Sequence, residues 1–252
     1  MRAEIFGSLH AQWYDRWHAG KDYQSEVDQL VAVFTEHGRV SSVMDMGCGT
    51  GRHLEKLAEA GYVVVGVDRS PGMVAQARRR LQPYAGASVV QADLLEVRLG
   101  STFEAVIMMF SVFGYLGTTG ELLGALGTAR RHLRPGGLLV LDVLDGGAVL
   151  SNGPRGGFTA MTDGTQSLLR ATTGRVHPDE QVYEMGVHLW LIDGDRLVDQ
   201  DTETHSLRFF LPRELELILE VAGFELIGSA PIAGGQPGPA REWSKLVWAR
   251  RT

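Results

Sequence analysis

Cysteine is nearly absent from this 252-residue sequence: Cys48 stands alone, so an internal disulfide framework is excluded. No apolar run reaches the roughly 18 residues that cross a bilayer. The first residues, MRAEIFGSLHAQWYDRW, lack the apolar core of a signal peptide. These absences argue against a disulfide-stapled secreted domain and against membrane insertion. We therefore predict a protein of the reducing cytoplasm.

An excess of positive charge is also missing. The chain carries 24 Lys and Arg against 30 Asp and Glu, a net charge of −6, and no basic block stands out. This balance argues against a nucleic-acid partner. The 8 histidines are scattered rather than grouped with acids, and the sequence predicts no metal site. Proline is sparse at 9 residues whereas glycine reaches 32, which indicates many tight turns between strands and helices.

From residue 41 onward the sequence alternates apolar, β-branched runs with amphipathic segments. The runs predict strands at 41–46, 62–68, 87–94, 103–110 and 137–143. The amphipathic segments predict helices at 52–61, 70–81 and 121–133. Strands that alternate with helices in this way predict an α/β fold, a doubly wound and mostly parallel sheet with right-handed crossovers.

The pattern changes after residue 146. A stretch rich in Gly, Ser and Asn predicts a loop at 147–157, and antiparallel strands are then predicted at 168–176, 181–193 and 197–210. A last helix at 212–223 and strands at 224–230 and 245–251 finish the chain. We therefore divide it into an N-terminal helical lid at 1–40, an α/β core at 41–146, an antiparallel β insertion at 147–211, and a completing segment at 212–252.

A glycine-rich turn, VMDMGCGTGRH at 43–53, joins the first core strand to its helix. A nucleoside-triphosphate loop would place Lys and then Ser or Thr after the last glycine, where this chain has Arg and His. A dinucleotide loop has the spacing G-x-G-x-x-G, whereas the glycines here follow G-x-G-x-G. Asp45, two residues before the first of these glycines, is awkward beside a pyrophosphate. It suits a positively charged ligand instead.

S-adenosylmethionine (SAM) is such a ligand, because it has an ammonium, a sulfonium and no phosphate. Gly47 and Gly49 would let the backbone approach it closely, where a Cβ would intrude. Asp45 is then placed to favour its amino group. Asp68 ends the next strand, roughly 20 residues on, the offset at which a carboxylate meets a ribose diol, and Asp93 ends the third. Together these features predict a SAM site.

Residues 41–145 resemble the class I SAM-dependent methyltransferases. The matching segments are DMGCGTG at 45–51, VGVDRSPGM at 65–73, QADL at 91–94 and RPGGLLVLDV at 134–143. The resemblance implies a seven-stranded, Rossmann-like, mostly parallel sheet and S-adenosylhomocysteine as the product. It implies that Asp68 binds the ribose, that Met73 packs on the adenine, and that Asp93 and Leu94 meet the adenine amino group. It also implies that the Phe110 carbonyl faces the methionyl amine, and the predicted cofactor site further includes Tyr23, Cys48 and Arg69.

The N-terminal segment resembles the TDP-amino-sugar N-methyltransferases of antibiotic biosynthesis, which begin with Y-D-x-x-Y followed by G-K-D-Y. Here Tyr14-Asp15 and GKDY at 20–23 match, and MFSVFGYL at 109–116 fits the same family. The chain departs from it at Tyr115, where relatives often place a His. The resemblance implies N-methylation of a small-molecule amine, most directly a TDP-linked amino sugar.

For the acceptor we predict an aromatic pocket. Trp13 and Phe113 would form its walls, and Tyr14 and Tyr115 would be the catalytic residues that position the nitrogen or pass on its proton. The alternative is that these aromatics only seal the lid against the core. A cation is needed for the pyrophosphate of a TDP-sugar, and Arg241 is our choice over Arg170, Arg175 and Arg208.

Two other functions stay open at this point. A small-molecule O-methyltransferase would use the same scaffold but needs a base, for which the sequence offers no candidate. A non-catalytic SAM-binding protein would keep the same glycine loop and strand-end acids. The antiparallel insertion is also predicted to pair subunits into a homodimer or higher homo-oligomer.

Overall fold

A computed structural model describes residues 8–154, 156–234 and 243–252. Two helices precede the sheet, α1 at Ser8–Trp17 and α2 at Tyr23–His37. Asp22 caps α2, because its carboxylate accepts the backbone N–H of Ser25 at 2.9 Å. The N-terminal helical segment predicted at 1–40 contains these two helices, and residues 1–7 lie outside the described part.

Strands and helices alternate through the core. The first five strands are β1 at Ser42–Met46, β2 at Val63–Asp68, β3 at Ala87–Gln91, β4 at Phe103–Met108 and β5 at Leu133–Asp145. The helices between them are α3 at Arg52–Glu59, α4 at Pro71–Leu81 and α5 at Thr119–His132, and a short 3₁₀ helix at Val112–Tyr115 follows β4. Each of the predicted strands and helices of this region is present.

The rest of the chain first builds the insertion and then returns to the core. It contains α6 at Gly146–Asn152, β6 at Gly157–Asp163, β7 at Gln166–His177, β8 at Val182–Asp193, β9 at Arg196–Phe210, α7 at Pro212–Val221, β10 at Phe224–Pro231 and β11 at Ser244–Arg251. The last helix and the two final strands agree with the sequence prediction.

Seven strands form the core sheet in the order β3-β2-β1-β4-β5-β11-β10. The first five are parallel, and β11 runs antiparallel to both β5 and β10. The predicted mostly parallel core is confirmed, but the sheet of the described residues has eleven strands rather than the predicted seven, because the insertion continues it beyond β5. Because the carboxyl ends of parallel strands share one edge, Asp45, Asp68 and the residues after β4 meet there.

Hydrophobic residues cover both faces of this sheet. On one face Met44 and Met46 join a core with Leu122 of α5 and Leu215 of α7. On the other, Val43 joins a core with residues of α2, α3 and α4. Successive strand residues point to opposite faces, so the apolar runs of the sequence are explained by burial on both sides.

The insertion is an antiparallel meander of β6, β7, β8 and β9. The end of β9 pairs in parallel with the end of β5, through Leu144 with Phe209 and Asp145 with Phe210. The meander therefore extends the core sheet at the same edge that carries the strand-end acids. Three of its strands were predicted, and β6 is an additional one.

The prediction of a loop over 147–157 is wrong for its first half, where α6 forms. Asp145 caps this helix by accepting the N–H of Ala148 at 3.0 Å, and Val149 within it is fully buried in a cluster with Leu144 and Phe209. The Gly, Ser and Asn content indicated a loop, but the Asp cap and the burial of Val149 suffice for two helical turns.

Candidate functional site

The glycine turn after β1 has a backbone that side chains would disturb. Gly47 has φ of +88°, and a Cβ built there would lie 2.7 Å from Val112 Cγ1. The N–H groups of Gly47 and Cys48 both donate to the Val67 carbonyl, at 2.7 and 3.0 Å. The turn is thus held against the end of β2, and Gly47 is required there for both conformation and space.

Asp68, at the end of β2, ties the same turn to the next helix. Its carboxylate accepts the N–H of Gly49 at 2.9 Å and the N–H of Ser70 at 2.8 Å. Burial nevertheless raises the pKa of Asp68 above its ordinary value. A carboxylate that is partly desolvated and borders a cavity is suited to bind hydroxyl donors of a ligand.

A cavity of about 440 Å³ opens at this edge of the sheet. It brings together thirteen of the predicted site residues: Tyr14, Tyr23, Asp45, Gly47, Cys48, Gly49, Asp68, Arg69, Met73, Asp93, Leu94, Phe110 and Tyr115. These come from the N-terminal helices and from the ends of β1 to β4. Their convergence on one concave surface makes this cavity the candidate site.

Trp13 and Phe113, predicted as acceptor-binding walls, do not line the cavity. Trp13 is 2% exposed and packs with Leu168 and Val187 of the insertion. Phe113 is fully buried and stacks on Phe210, with ring centroids 5.2 Å apart. Their prediction as site residues is therefore corrected, because the rotation of α1 and of the 3₁₀ helix turns both rings into hydrophobic cores. Arg241 lies outside the described residues.

Two acids are buried beside the glycine turn. Asp45 is 1% exposed and Asp142, on β5, is 3% exposed. Within the described part of the chain neither Oδ1 atom has a hydrogen-bond partner. Burial, with the nearby Asp68, raises the pKa of Asp45 to about 8, and burial raises the pKa of Asp142 to about 7. Asp142 was missed from the sequence, although an acid inside the apolar run GLLVLDV was a usable signal.

A buried ionic cluster supports the floor of the site. Glu26 Oε2 accepts from Lys21 Nζ at 2.7 Å and from His53 Nε2 at 2.6 Å. The same ammonium lies 4.5 Å from the ring centroid of Tyr23 and 4.2 Å from that of Phe110. Three elements, α2, α3 and the segment after β4, are thus joined beneath two cavity-lining rings.

A second polar contact fastens α1 over the glycine turn. Asp15 accepts the Thr50 hydroxyl at 2.7 Å and forms ion pairs with Arg52 and Arg80. Although burial opposes the shift, the hydrogen bonds from Arg80 and Thr50 lower the pKa of Asp15. The helix that carries Tyr14 is therefore positioned by charge on one side and by the packing of Trp13 on the other.

The same cavity is also lined by Tyr14, Tyr115, Thr204 and Ser206. Burial raises the pKa of both tyrosines, so both hydroxyls stay protonated near neutral pH. The Tyr115 oxygen lies 2.9 Å from His205 Nδ1, and His205 Nε2 lies 2.9 Å from Glu203 Oε2. Sequence analysis missed His205 and Glu203, because 90 residues separate Tyr115 from His205 and no local motif joins them.

Two features are absent from the described residues. They contain no group of three or more His, Cys, Asp or Glu side chains arranged to hold a metal ion. No helix within them is long and apolar enough to cross a membrane.

Comparisons with known proteins identify relatives among the methyltransferases. The family model described as a methyltransferase domain matches residues 43–137. The chain is 31% identical to dTDP-3-amino-3,4,6-trideoxy-alpha-D-glucopyranose N,N-dimethyltransferase of Streptomyces venezuelae, over 86% of this chain and 90% of that protein. It is 30% identical to dTDP-3-amino-3,6-dideoxy-alpha-D-glucopyranose N,N-dimethyltransferase of Streptomyces fradiae, over 89% and 87%. A solved sugar N-methyltransferase from Streptoalloteichus is 26% identical with a TM-score of 0.81, covering 100% of this chain and 96% of that one.

Proposed function

The chain belongs to the SAM-dependent methyltransferases that include the dTDP-amino-sugar N,N-dimethyltransferases, and on this premise we propose that it methylates the amine of a TDP-linked amino sugar in antibiotic biosynthesis. The observation that carries the proposal is similarity along most of the chain to two enzymes whose names specify amino-sugar acceptors. The protein is an enzyme, and SAM is its methyl donor.

The residues around the glycine turn fit this cofactor. The buried Asp45 Oδ1, which has no partner among the described residues, offers an acceptor to an ammonium, and the cradle at Gly47 has no room for a Cβ. We propose that Asp68 holds the ribose, that Met73, Asp93 and Leu94 surround the adenine, and that Tyr23, Cys48, Arg69 and the Phe110 carbonyl complete the site. SAM supplies a methyl group activated by its sulfonium.

The raised pKa of Asp45 predicts that cofactor binding releases a proton. Its pKa of about 8 leaves it mostly protonated at pH 7, and an ammonium placed beside it favours the carboxylate. The apparent affinity for SAM should therefore rise as the pH increases from 7 and level off above about 8. Calorimetry at pH 7 in buffers of different ionisation enthalpy measures the proton directly. Asp45→Asn should abolish the release, and a wild-type enthalpy independent of buffer would contradict the assignment.

The acceptor needs to be neutral and aligned for attack. The lining tyrosines and Phe110 place apolar surface around the reacting nitrogen, which lowers the pKa of an amine and favours its nucleophilic form. Alignment alone contributes about 7–11 kcal/mol to lowering such barriers. We propose that the hydroxyls of Tyr14 and Tyr115 supply this alignment and are the catalytic residues.

Replacement of Tyr14 by Phe should lower kcat by about 10-fold or more while the dissociation constant for SAM changes less than about twofold. The ring and its packing on His18, with centroids 4.6 Å apart, are kept, so only the hydroxyl is tested. Initial rates and calorimetry measure the two quantities. A variant with the wild-type rate would remove Tyr14 from the mechanism.

The proposed function is tested by incubating the protein with labelled SAM and a panel of TDP-amino sugars, glycosides and phenols, with the products read by mass. We expect one or two methyl groups on the amine nitrogen of a TDP-amino sugar. A product methylated on oxygen would replace the proposal with an O-methyltransferase. Binding of SAM without any product from the panel would favour a non-catalytic protein.

Binding of the sugar nucleotide needs a cation near the cavity mouth. We propose that Arg241 meets the pyrophosphate, since it lies in the Gly- and Pro-rich segment between β10 and β11. The division proposed from the sequence then gives each part a task. The segment 1–40 covers the cavity, 41–146 holds SAM, 147–211 faces the acceptor, and 212–252 completes the sheet.

We further propose that the insertion pairs two copies of the chain. Phe158 is 64% exposed on β6 and is aligned across the sheet with Ala171 and His188. These residues lie on the face opposite Val187 and Leu189, whose side chains are buried with Trp13 of α1. Sedimentation analysis should give the mass of a dimer or higher homo-oligomer, and a monomer at all concentrations would defeat the proposal.

A further inference from the structure

The contact between Tyr115 and His205 reaches from the cavity into the insertion. Tyr115 lines the cavity, and so do Thr204 and Ser206, the two residues that flank His205 on β9. His205 itself is 1% exposed and Glu203 is 6% exposed. A chain of three polar side chains therefore leads from the cavity into the interior of the insertion.

The tautomer of His205 follows from its partners. A carboxylate only accepts hydrogen bonds, so the Nε2 atom that lies 2.9 Å from Glu203 Oε2 carries the hydrogen. Nδ1 is then an acceptor, and it faces the Tyr115 hydroxyl at 2.9 Å. Each donor in the chain Tyr115–His205–Glu203 thus has an acceptor, and the chain is oriented to draw a proton away from the cavity.

We propose that His205 and Glu203 are positioning residues that make Tyr115 a proton acceptor for the substrate ammonium. The inference rests on the proposed function, because it requires an amine at Tyr115. The N–H bond of the ammonium breaks and its proton joins the Tyr115 oxygen. The original Tyr115 O–H bond breaks at the same time, and that proton forms the Nδ1–H bond of His205. Tyr115 is unchanged in charge, and the imidazolium is stabilised by the Glu203 carboxylate.

This relay from Tyr115 to His205 supplies the deprotonation that the transfer of a methyl group to an ammonium nitrogen requires. An amine brought in as its ammonium has no lone pair and must lose a proton before it attacks. After one methyl transfer the product is again an ammonium, and a second transfer needs a second deprotonation, for which the His205 imidazolium must first return its proton through Tyr115 to water in the cavity. Because burial keeps Tyr115 protonated, the tyrosine alone is a poor base near neutral pH, and the imidazole behind it removes this obstacle.

The charged and titratable groups around His205 come from four elements. Tyr115 belongs to the 3₁₀ helix and Glu203 to β9 itself. Arg170, on β7, interacts electrostatically with both Glu203 and Tyr115. Burial, with a contribution from Tyr115, raises the pKa of Tyr14, on α1. Arg170 carries the charge opposite to that of the Glu203 carboxylate, so the two groups attract each other at the end of the relay.

The test compares His205→Gln, Tyr115→Phe and the double variant, with His37→Gln as a matched control. Glutamine keeps an acceptor for the Tyr115 hydroxyl but cannot take up a proton. His37 lies in the last turn of α2, beside Trp248 of β11, and does not line the cavity. We expect His205→Gln to lower kcat by about 100-fold with SAM affinity and melting temperature near wild type. The acid limb of the kcat–pH profile should disappear, and the double variant should lose no more than Tyr115→Phe alone.

A second measurement does not depend on turnover. Nitrogen-15 NMR of the histidine rings should show one signal with the hydrogen on Nε2 that is missing in His205→Gln, and Glu203→Gln should change its tautomer balance. A His205→Gln enzyme with a wild-type rate and pH profile, or multiplicative losses in the double variant, would overturn the relay. Failure of the wild-type protein to methylate any amine would instead overturn the proposed function.

Discussion

Replacement of Asp68 by alanine should raise the dissociation constant for SAM by about 100-fold or more. The carboxylate holds Gly49 and Ser70 through two backbone N–H groups and is proposed to bind the ribose. A hydrogen bond to a charged group contributes about 1.5–3 kcal/mol, and each 1.4 kcal/mol is tenfold in affinity. The loss of two such bonds to the ribose hydroxyls therefore gives the expected change, which calorimetry measures.

The effect should appear in binding rather than in folding. Burial raises the pKa of Asp68, so its ionised form is disfavoured in the folded state, and its removal relieves that cost. The melting temperature of the ligand-free variant should stay close to wild type, while the rise normally produced by SAM is lost. Asp199→Ala, at an exposed position on β9, is the matched control. An unchanged affinity of Asp68→Ala for SAM would contradict the assignment of this carboxylate to the cofactor site.

Replacement of Glu26 by alanine should lower the free energy of unfolding by about 3–5 kcal/mol. The side chains of Lys21 and Glu26 are 2% and 1% exposed, and that of His53 is 7% exposed. Removal of the carboxylate leaves the Lys21 ammonium buried without its ionic partner. Urea denaturation at pH 7.5 measures the loss, and a change below about 1 kcal/mol would contradict it.

A double replacement separates the charge from the packing. Lys21→Met with Glu26→Leu removes both ions and keeps side chains of similar volume, so we expect it to recover most of the stability lost in Glu26→Ala. A double variant as unstable as the single one would mean that the ions themselves are required. His37→Ala, at the far end of α2, is a control for changes in that helix outside the cluster.

The cluster of Lys21, Glu26 and His53 also makes the free energy of unfolding depend on pH. Although burial opposes the shift, the hydrogen bond from His53 and the neighbouring charges lower the pKa of Glu26. The stability that Glu26 contributes is therefore fully present above its unfolded pKa of about 4.3 and is lost as the pH falls through its folded pKa. Burial lowers the pKa of His53, so the unfolded chain takes up a proton first as the pH drops below about 6.5. Both groups make the folded state less stable on acidification.

The sequence could predict which residues gather around the glycine turn, because its signals are local. The glycine spacing, Asp45 two residues earlier, and Asp68 at the end of the next strand all depend on one strand–turn–helix unit and the strand beside it. In a parallel sheet that geometry follows from chain order. The single acid overlooked there, Asp142, comes from β5, where its apolar neighbours indicated only a core strand.

The acceptor half could be predicted only in outline. The aromatic residues of α1 and of the segment after β4 were recognisable, but their directions depend on packing against the insertion. Trp13 therefore faces Leu168 rather than the cavity, and the pair Tyr115 and His205 meets only because β9 returns beside the 3₁₀ helix. The helix α6 was missed because its composition is that of a loop, and one Asp cap outweighs that composition.

The junction between β5 and β9 has a consequence for how such a chain diversifies. The two sheets are joined in register through Leu144 with Phe209 and Asp145 with Phe210, while the glycine turn and its strand-end acids belong to residues that precede this junction. Substitutions along β6 to β9 can therefore reshape the proposed acceptor side while the strand register that holds the proposed donor side is retained. Selection for a new acceptor can then act on the insertion without changing the stretch that builds the proposed donor site.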